Sequence, residues 1–337
     1  MRGSARPLAE THDVALLDLD GVVYLDGHAV EHAPEALAAA AALGMRRAYV
    51  TNNALRTPAD VAAKLTSFGV PATAEEVVTS AQAAARVLAE RLPAGSPVLV
   101  CGGAGLREAV AARGLRVVDI AAAHPAGVTS GYDPEMTYAR LREASIALGH
   151  GALWVASNRD ATIPSGAGRV PGAGATVAFL ATASGREPDA VAGKPHPALH
   201  QETVERSGAL SPLVVGDRLD TDIAGAVAAG VDSLLVLTGV AQLPDLLVTR
   251  WRPTFLAADL RGLLAAVPDP AQTGWTVRRD GDALRLTRPN GSSRTLQEQW
   301  LDGWRTGLNA AWEAQDEGHP VRALHGLDPV APGTVRW

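Results

Sequence analysis

Val14-Ala15-Leu16-Leu17-Asp18-Leu19-Asp20-Gly21 carries an apolar run into two carboxylates and a glycine. Four apolar residues in a row suit a strand buried on both faces, as in a parallel sheet covered by helices. Residues i and i+2 of a strand share a side, so Asp18 and Asp20 leave the carboxyl edge of the sheet together, where parallel α/β proteins build their sites. Held close without a partner they repel, and a divalent cation is the natural third member. A calcium loop is a poor match, because it needs a further acidic or amide residue before the glycine and a later Glu.

The same grammar repeats along the chain. Leu213-Val214-Val215-Gly216 runs into Asp217, Asp220 and Asp222, with Asp222 in the first turn of a helix expected over Thr221 to Ala229. Two acidic strand ends in one parallel sheet can converge on one ion with all-oxygen ligands, which suits Mg²⁺. Strands are further expected at Arg47–Thr51, Val77–Thr79, Val98–Cys101, Leu115–Val118, Gly127–Gly131, Leu153–Ala156 and Ser233–Leu237. Helices are expected between them, including one closed at its start by Thr57-Pro58 and one capped by Ser80. Pro164 to Gly174 reads as a Gly/Pro-rich loop. This alternation predicts an α/β fold with Rossmann-like parallel sheets.

Composition agrees with that fold and removes other classes. The chain has 337 residues, 47% of them hydrophobic and 20% charged, enough for a large core and more than one domain. The net charge of −6 gives no electrostatic footprint for nucleic acid or an anionic membrane. No apolar run reaches the length of a membrane-spanning helix, and no secretory leader is evident, so the cytoplasm is the expected compartment. One cysteine, Cys101, excludes a disulfide framework within the chain and a multi-cysteine zinc site. Basic residues are almost all Arg; only Lys64 and Lys194 are lysines. Lys194, between Gly193 and Pro195, therefore reads as a compact ammonium in a role that a guanidinium cannot fill.

Taken together, Asp18-x-Asp20-Gly21, the strand end Thr51-Asn52-Asn53, then Lys194, then Gly216-Asp217 with Asp222 resemble the four ordered motifs of the haloacid dehalogenase superfamily of phosphatases. Val170-Pro171-Gly172-Ala173-Gly174 and Gly193-Lys194-Pro195-His196-Pro197 are similar to its branch of p-nitrophenyl and phosphoglycolate phosphatases. The resemblance implies a discontinuous catalytic core, residues 1–84 and 189–265, with an α/β cap inserted at 85–188. It implies that Asp18 is the nucleophile and Asp20 the general acid and base. It implies that Asp18, Asp20 and Asp217 hold Mg²⁺ with Asp222 in support, and that Thr51, Asn52, Asn53 and Lys194 bind the phosphoryl group.

Beyond residue 268 the character changes. Four tryptophans (Trp275, Trp300, Trp304, Trp312) precede a fifth at the terminus, Trp337. Turns at Asp280-Gly281-Asp282 and Pro289-Asn290-Gly291 flank short strands, and an amphipathic helix is expected over Leu296 to Ala314. Residues 270–337 thus read as a small α+β extension, similar to the truncated acetyltransferase-like extension of actinobacterial glycerol-3-phosphate phosphatases. No pyrophosphate loop follows residue 270, so no acetyl transfer is expected there. Trp300 and Trp304 share a helix face too apolar for water, so the extension should pack on the core, the cap or another copy of the chain.

The resemblance implies a small phosphate ester as substrate, glycerol 3-phosphate first, with phosphoglycolate, a sugar phosphate or a nucleotide as alternatives. It places Ser157 to Pro164 over the site, and some relatives that prefer pyridoxal phosphate carry His where this chain has Ile163. Neither nucleic acid nor membrane is expected as a partner; a second copy could associate through the cap or the extension. A reading from another class, a dinucleotide-binding oxidoreductase, rests on Gly103-x-Gly105 after a strand with Asp119 beyond it. It lacks the third glycine, since position 108 is Glu.

Overall fold

The computed structural model describes residues 1–165, 168–291 and 293–327. Trp337 and the rest of 328–337 lie outside the described residues. The chain divides into two compact units, Met1–Arg47 with Leu210–Trp337, and Ala48–Ala209. No helix among the described residues is long and apolar enough to cross a membrane.

In the first unit four strands, Val14–Leu17, Pro212–Gly216, Asp232–Val236 and Phe255–Ala257, pair in parallel in that spatial order. Val14–Leu17 pairs with Pro212–Val215 without a stagger. The two acidic strand ends therefore leave neighbouring strands at one edge, as the apolar runs predicted. Every residue of Val14–Leu17 is buried, which is why the run shows no alternation of polar and apolar residues. Phe255–Ala257 is a further parallel strand that the sequence reading did not expect.

The extension belongs to this unit. Thr276–Asp280 and Ala283–Thr287 form an antiparallel hairpin turned at Gly281, and Ala323–His325 adds in parallel to its second strand. The expected amphipathic helix spans Leu296–Asp316, with Thr295 and Glu298 forming a reciprocal capping box. Its apolar face answers the question that the sequence left open. Leu301, Leu308, Ala311 and Trp312 pack in one cluster with Ile223, Leu235, Leu243, Leu246, Leu247 and Leu256. The helix is thus covered by the unit that carries the acidic strand ends. Trp300 and Trp304, half-buried, meet edge to face in the same cluster with centroids 6.2 Å apart. Glycine inside a helix ordinarily costs about 1 kcal/mol. Gly303 is nonetheless required here, because a Cβ would sit 2.8 Å from the Trp275 ring.

Polar contacts fix the register of that packing. Arg305 donates from Nε and Nη2 to the Leu256 carbonyl at 3.1 and 2.5 Å and pairs with Asp302 at 2.7 Å. The Trp312 indole N–H donates to the Leu246 carbonyl at 2.9 Å.

The second unit holds Arg46–Thr51 from its third residue onward, paired in parallel with Val77–Thr79. It also holds a five-stranded parallel sheet in the order Ala190–Val191, Leu153–Ala156, Gly127–Ser130, Pro97–Cys101, Arg116–Val118. Two local expectations need correction. The cap of the Ser80–Arg91 helix is Thr79, whose side chain accepts from Gln82 N–H while Gln82 reaches back, so Ser80 is already helical. The Gly/Pro-rich stretch contains an antiparallel hairpin, Thr162–Ser165 with Gly168–Pro171. Its glycine density disguised the second strand, whose first residue, Gly168, takes a φ of 121° that favours glycine.

Gly103 and Gly105 explain themselves by close packing. The Gly105 N–H donates to the Leu55 carbonyl at 2.8 Å, and a Cβ there would lie 2.4 Å from the Arg56 carbonyl oxygen. Asp119 is engaged by Arg107 at 2.6 Å. These residues thus serve the packing of the Ala104–Ala112 helix, and the pattern that suggested a dinucleotide loop arises from that packing.

Candidate active site

Asp18, Asp217 and Asp222 come together at the carboxyl edge of the first unit's sheet. One oxygen of each lies within 4.8 Å of the others. Asp217 and Asp222 are each 1% exposed and Asp18 is half-buried. Three carboxylates this close in a low dielectric repel strongly, and a hard cation with oxygen ligands removes the repulsion. The donor set is all oxygen, without histidine or thiolate, so the residues fit Mg²⁺ in type and in spacing.

The surrounding chain is built to hold these side chains. Asp217 Oδ2 accepts from the Val240 N–H at 2.7 Å, and the Asp217 carbonyl accepts from Ala241 N–H at 2.9 Å. A Cβ on Gly239 would fall 2.0 Å from Asp217 Oδ2, and one on Gly216 would fall 2.2 Å from Asp222 Cβ. Glycine is therefore required at both positions, for room and not for backbone freedom. Sequence reading missed Gly239, since nothing near it in the chain marks it as a neighbour of Asp217.

The helix expected from Thr221 begins differently. Leu219–Ile223 forms a wide π turn, with Ile223 N–H donating to the Arg218 carbonyl at 3.1 Å, before the α-helix Ala224–Ala229. The wide turn lets the Asp222 carboxylate fold back and accept from Arg218 N–H at 3.1 Å. Such turns cluster at functional sites because they aim a side chain that a regular helix would point elsewhere. Asp220 faces solvent and pairs with Arg218 at 2.9 Å.

Asp20 is exposed, and its Oδ2 accepts from the Tyr24 hydroxyl at 3.3 Å. Tyr24 was not singled out in the sequence. It lies on a two-residue hairpin, Tyr24–Leu25 with His28–Ala29, and the Gly21 N–H donates to the Tyr24 carbonyl at 2.8 Å.

In the second unit Thr51, Asn52 and Lys194 form a connected group. Thr51 and Lys194 are buried. Thr51 Oγ1 accepts from Asn53 N–H at 3.1 Å. Asn53 turns its amide oxygen to the N–H groups of Leu55 and Arg56 at 2.9 and 3.3 Å, closing the loop. The Asn52 side-chain amide accepts from the Lys194 N–H and donates to the Lys194 carbonyl and to the Asp160 carboxylate. His196 is held below the ordinary imidazole range by burial and by the Arg159 cation, so at neutral pH it adds no charge to the Lys194 segment. Burial pushes the Cys101 thiol up to about 12, so the one cysteine offers no thiolate at neutral pH.

Known proteins match this arrangement at three levels. Residues 15–116 match the family described as haloacid dehalogenase-like hydrolase, and residues 191–263 match a second family of the same kind. The chain is 41% identical over 345 aligned positions to the D-glycerol 3-phosphate phosphatase of Mycobacterium tuberculosis, covering 98% of this chain and 96% of that one. It is 34% identical to an acid sugar phosphatase of Staphylococcus aureus over 74% of this chain and 96% of the other. Among solved structures, the glycerol phosphate phosphatase of Mycobacterium tuberculosis in complex with magnesium superposes with a TM-score of 0.85, at 42% identity and 95% coverage of each chain. With matching motifs, matching fold and an alignment that spans nearly the whole chain, this protein belongs to the haloacid dehalogenase-like hydrolases.

Proposed function

We propose that this chain is an Mg²⁺-dependent phosphatase of small phosphomonoesters, with glycerol 3-phosphate as its substrate. The convergence of Asp18, Asp217 and Asp222 carries the reading, because three carboxylates at one sheet edge need a cation and the family's chemistry uses one. The alignment with a D-glycerol 3-phosphate phosphatase along 98% of the chain, extension included, supports the substrate. The cap at 85–188, between core segments 1–84 and 189–265, would select it. A separate five-stranded sheet, four of whose strands lie between Pro97 and Ala156, supports the cap, and its short edge strand Ala190–Val191 runs just past the proposed boundary.

The chemistry balances on the chain's own groups. Asp18 attacks phosphorus in line; the ester P–O bond breaks as the aspartyl P–O bond forms. Asp20 gives its proton to the leaving alkoxide and then takes one from the water that attacks the aspartyl-phosphate. That second attack releases phosphate and restores the Asp18 carboxylate. The Tyr24 hydroxyl orients Asp20. Thr51, the backbone of Asn52 and Lys194 take the phosphoryl oxygens, an assignment supported by their order in the family motifs. Asp18, Asp217 and the Asp20 backbone carbonyl, with Asp222 in support, would hold Mg²⁺, which would supply positive charge against the phosphoryl oxygens.

The test is a phosphate-release panel with Mg²⁺ over glycerol 3-phosphate, 2-phosphoglycolate, pyridoxal phosphate, a hexose phosphate and nucleoside monophosphates. Glycerol 3-phosphate is expected to give the highest kcat/KM; a tenfold preference for any other member rejects the substrate. Dialysis against EDTA should lower turnover by about 10²-fold or more, restored by Mg²⁺; undiminished activity after exhaustive chelation contradicts the carboxylate site. Asp20→Asn, which keeps shape but cannot shuttle a proton, should cost ~10²–10⁴-fold in kcat.

A further inference from the structure

The Asn52 carboxamide has both its oxygen and its nitrogen committed to protein partners. Its Oδ1 accepts from the Lys194 N–H at 2.8 Å. Its Nδ2 donates to the Lys194 carbonyl at 3.1 Å and to an Asp160 carboxylate oxygen at 3.2 Å. One amide thus grips the backbone of Lys194 at two points and ties it to a third segment. The backbone of Asn52 is held as firmly. Its carbonyl accepts from Asn158 Nδ2 at 2.7 Å and from Ser80 Oγ at 2.6 Å.

The neighbouring residues leave this clamp little slack. Gly193 N–H donates to the Ser157 carbonyl at 2.7 Å, and a Cβ on Gly193 would lie 2.6 Å from Asn52 Oδ1. Asn158 Oδ1 accepts from Asp160 N–H at 3.0 Å. Gly172, whose Cβ would lie 2.3 Å from the Asp160 carbonyl, lets the hairpin segment close on the same loop.

We infer that the Asn52 side chain is a positioning residue: it fixes the backbone of Lys194, and Asp160 holds it in the orientation that does so. The inference rests on the phosphatase reading above, in which Lys194 meets the phosphoryl oxygens. It also separates two roles within Asn52, a backbone N–H proposed for the phosphoryl group and a carboxamide that faces the protein. The segment Ser157–Pro164, which the family resemblance assigns to substrate selection, then shares a node with the phosphate-binding lysine. A lysine backbone displaced by even ~1 Å carries its ammonium with it, and errors of that size cost about 10²-fold in positioned chemistry.

The test is a donor–acceptor swap. Asn52→Asp keeps the acceptor for Lys194 N–H but loses both donors and sets a second carboxylate against Asp160. Asp160→Asn alone still offers an acceptor to Asn52 and serves as the single-variant reference for the pair. Combining the two lets an amide at position 160 donate to the carboxylate at position 52, which restores the link to the loop but not the donation to the Lys194 carbonyl. Each protein is assayed with Mg²⁺ and a phosphomonoester that the wild type hydrolyses, below its melting transition. Inhibition by inorganic phosphate is measured beside kcat/KM, because its Ki does not depend on how much of the sample is active.

Asn52→Asp is expected to lower kcat/KM and raise the phosphate Ki by about tenfold or more, and the double variant to recover the part of the change in Ki that the loop link carries. An unchanged Ki in Asn52→Asp, or no recovery in the double variant, overturns the inference. Should Asn52→Asp fail to fold, Asp160→Ala removes the acceptor for Asn52 Nδ2 and leaves the Asn52 contacts with the Lys194 backbone. It should raise Ki about threefold, the worth of one hydrogen bond, and an unchanged Ki there overturns the inference equally. A wild-type protein inert toward every phosphomonoester rejects the phosphatase reading itself, which separates that failure from this one.

Discussion

Asp18→Asn is expected to abolish phosphate release, with kcat lower by about 10⁴–10⁶-fold than wild type on any phosphomonoester the enzyme accepts. A carboxamide has nearly the shape of the carboxylate, so the fold should stand. It is a far weaker nucleophile toward phosphorus, and it removes one of the three charges that surround the cation. Both effects act on the same step, and both follow from the position of Asp18 beside Asp217 and Asp222. Circular dichroism and the melting temperature should match wild type or rise slightly, because one repelling carboxylate is gone. Activity within tenfold of wild type would remove Asp18 from the chemistry.

The second large effect is on stability. Ending the chain near residue 268 strips a helix from the face formed by Ile223, Leu235, Leu246, Leu247 and Leu256. Burying a large apolar side chain is worth ~1.5–3 kcal/mol, and Leu301, Leu308 and Trp312 each contribute to that face. Against a total stability on the order of 5–15 kcal/mol, the loss is enough to unfold the unit or drive it to aggregate. Trp312→Ala tests the same contact with a single change. It should cost ~3–5 kcal/mol and lower the melting temperature on the order of 10 °C. The truncated chain staying soluble, with wild-type melting and KM, would show that the extension contributes nothing to the unit.

The acidic strand ends were legible because two independent patterns coincide there. An apolar run fixes the strand, and the i, i+2 spacing of Asp18 and Asp20 or the abrupt acidic turn at Asp217 fixes what leaves its end. The extension's helix was legible for a similar reason: its capping box and apolar stripe are local. What covers that stripe was not, since an amphipathic pattern says which face is buried and not which surface receives it. Its partners, Leu235 through Leu256, read equally well as the core of a sheet. The Asn52 clamp was invisible for a stronger reason. Its partners lie 108 and 142 residues away, and nothing in Thr51-Asn52-Asn53 distinguishes an amide that grips Lys194 from one that waits for substrate. Gly239 escaped in the same way, because the crowding that requires it exists only once Asp217 has been folded back.

The central claim is that a phosphoryl group passes through Asp18, and a trapped intermediate tests it most directly. The enzyme is mixed with Mg²⁺ and its best phosphomonoester, quenched in acid during the first turnovers, reduced with borohydride and mapped by mass spectrometry. Reduction converts an aspartyl-phosphate to homoserine, a permanent mark at the residue that carried phosphate. The account predicts homoserine at position 18 and unmodified Asp at positions 20, 217 and 222. Steady turnover with no mark at position 18, or with the mark at another carboxylate, would contradict it.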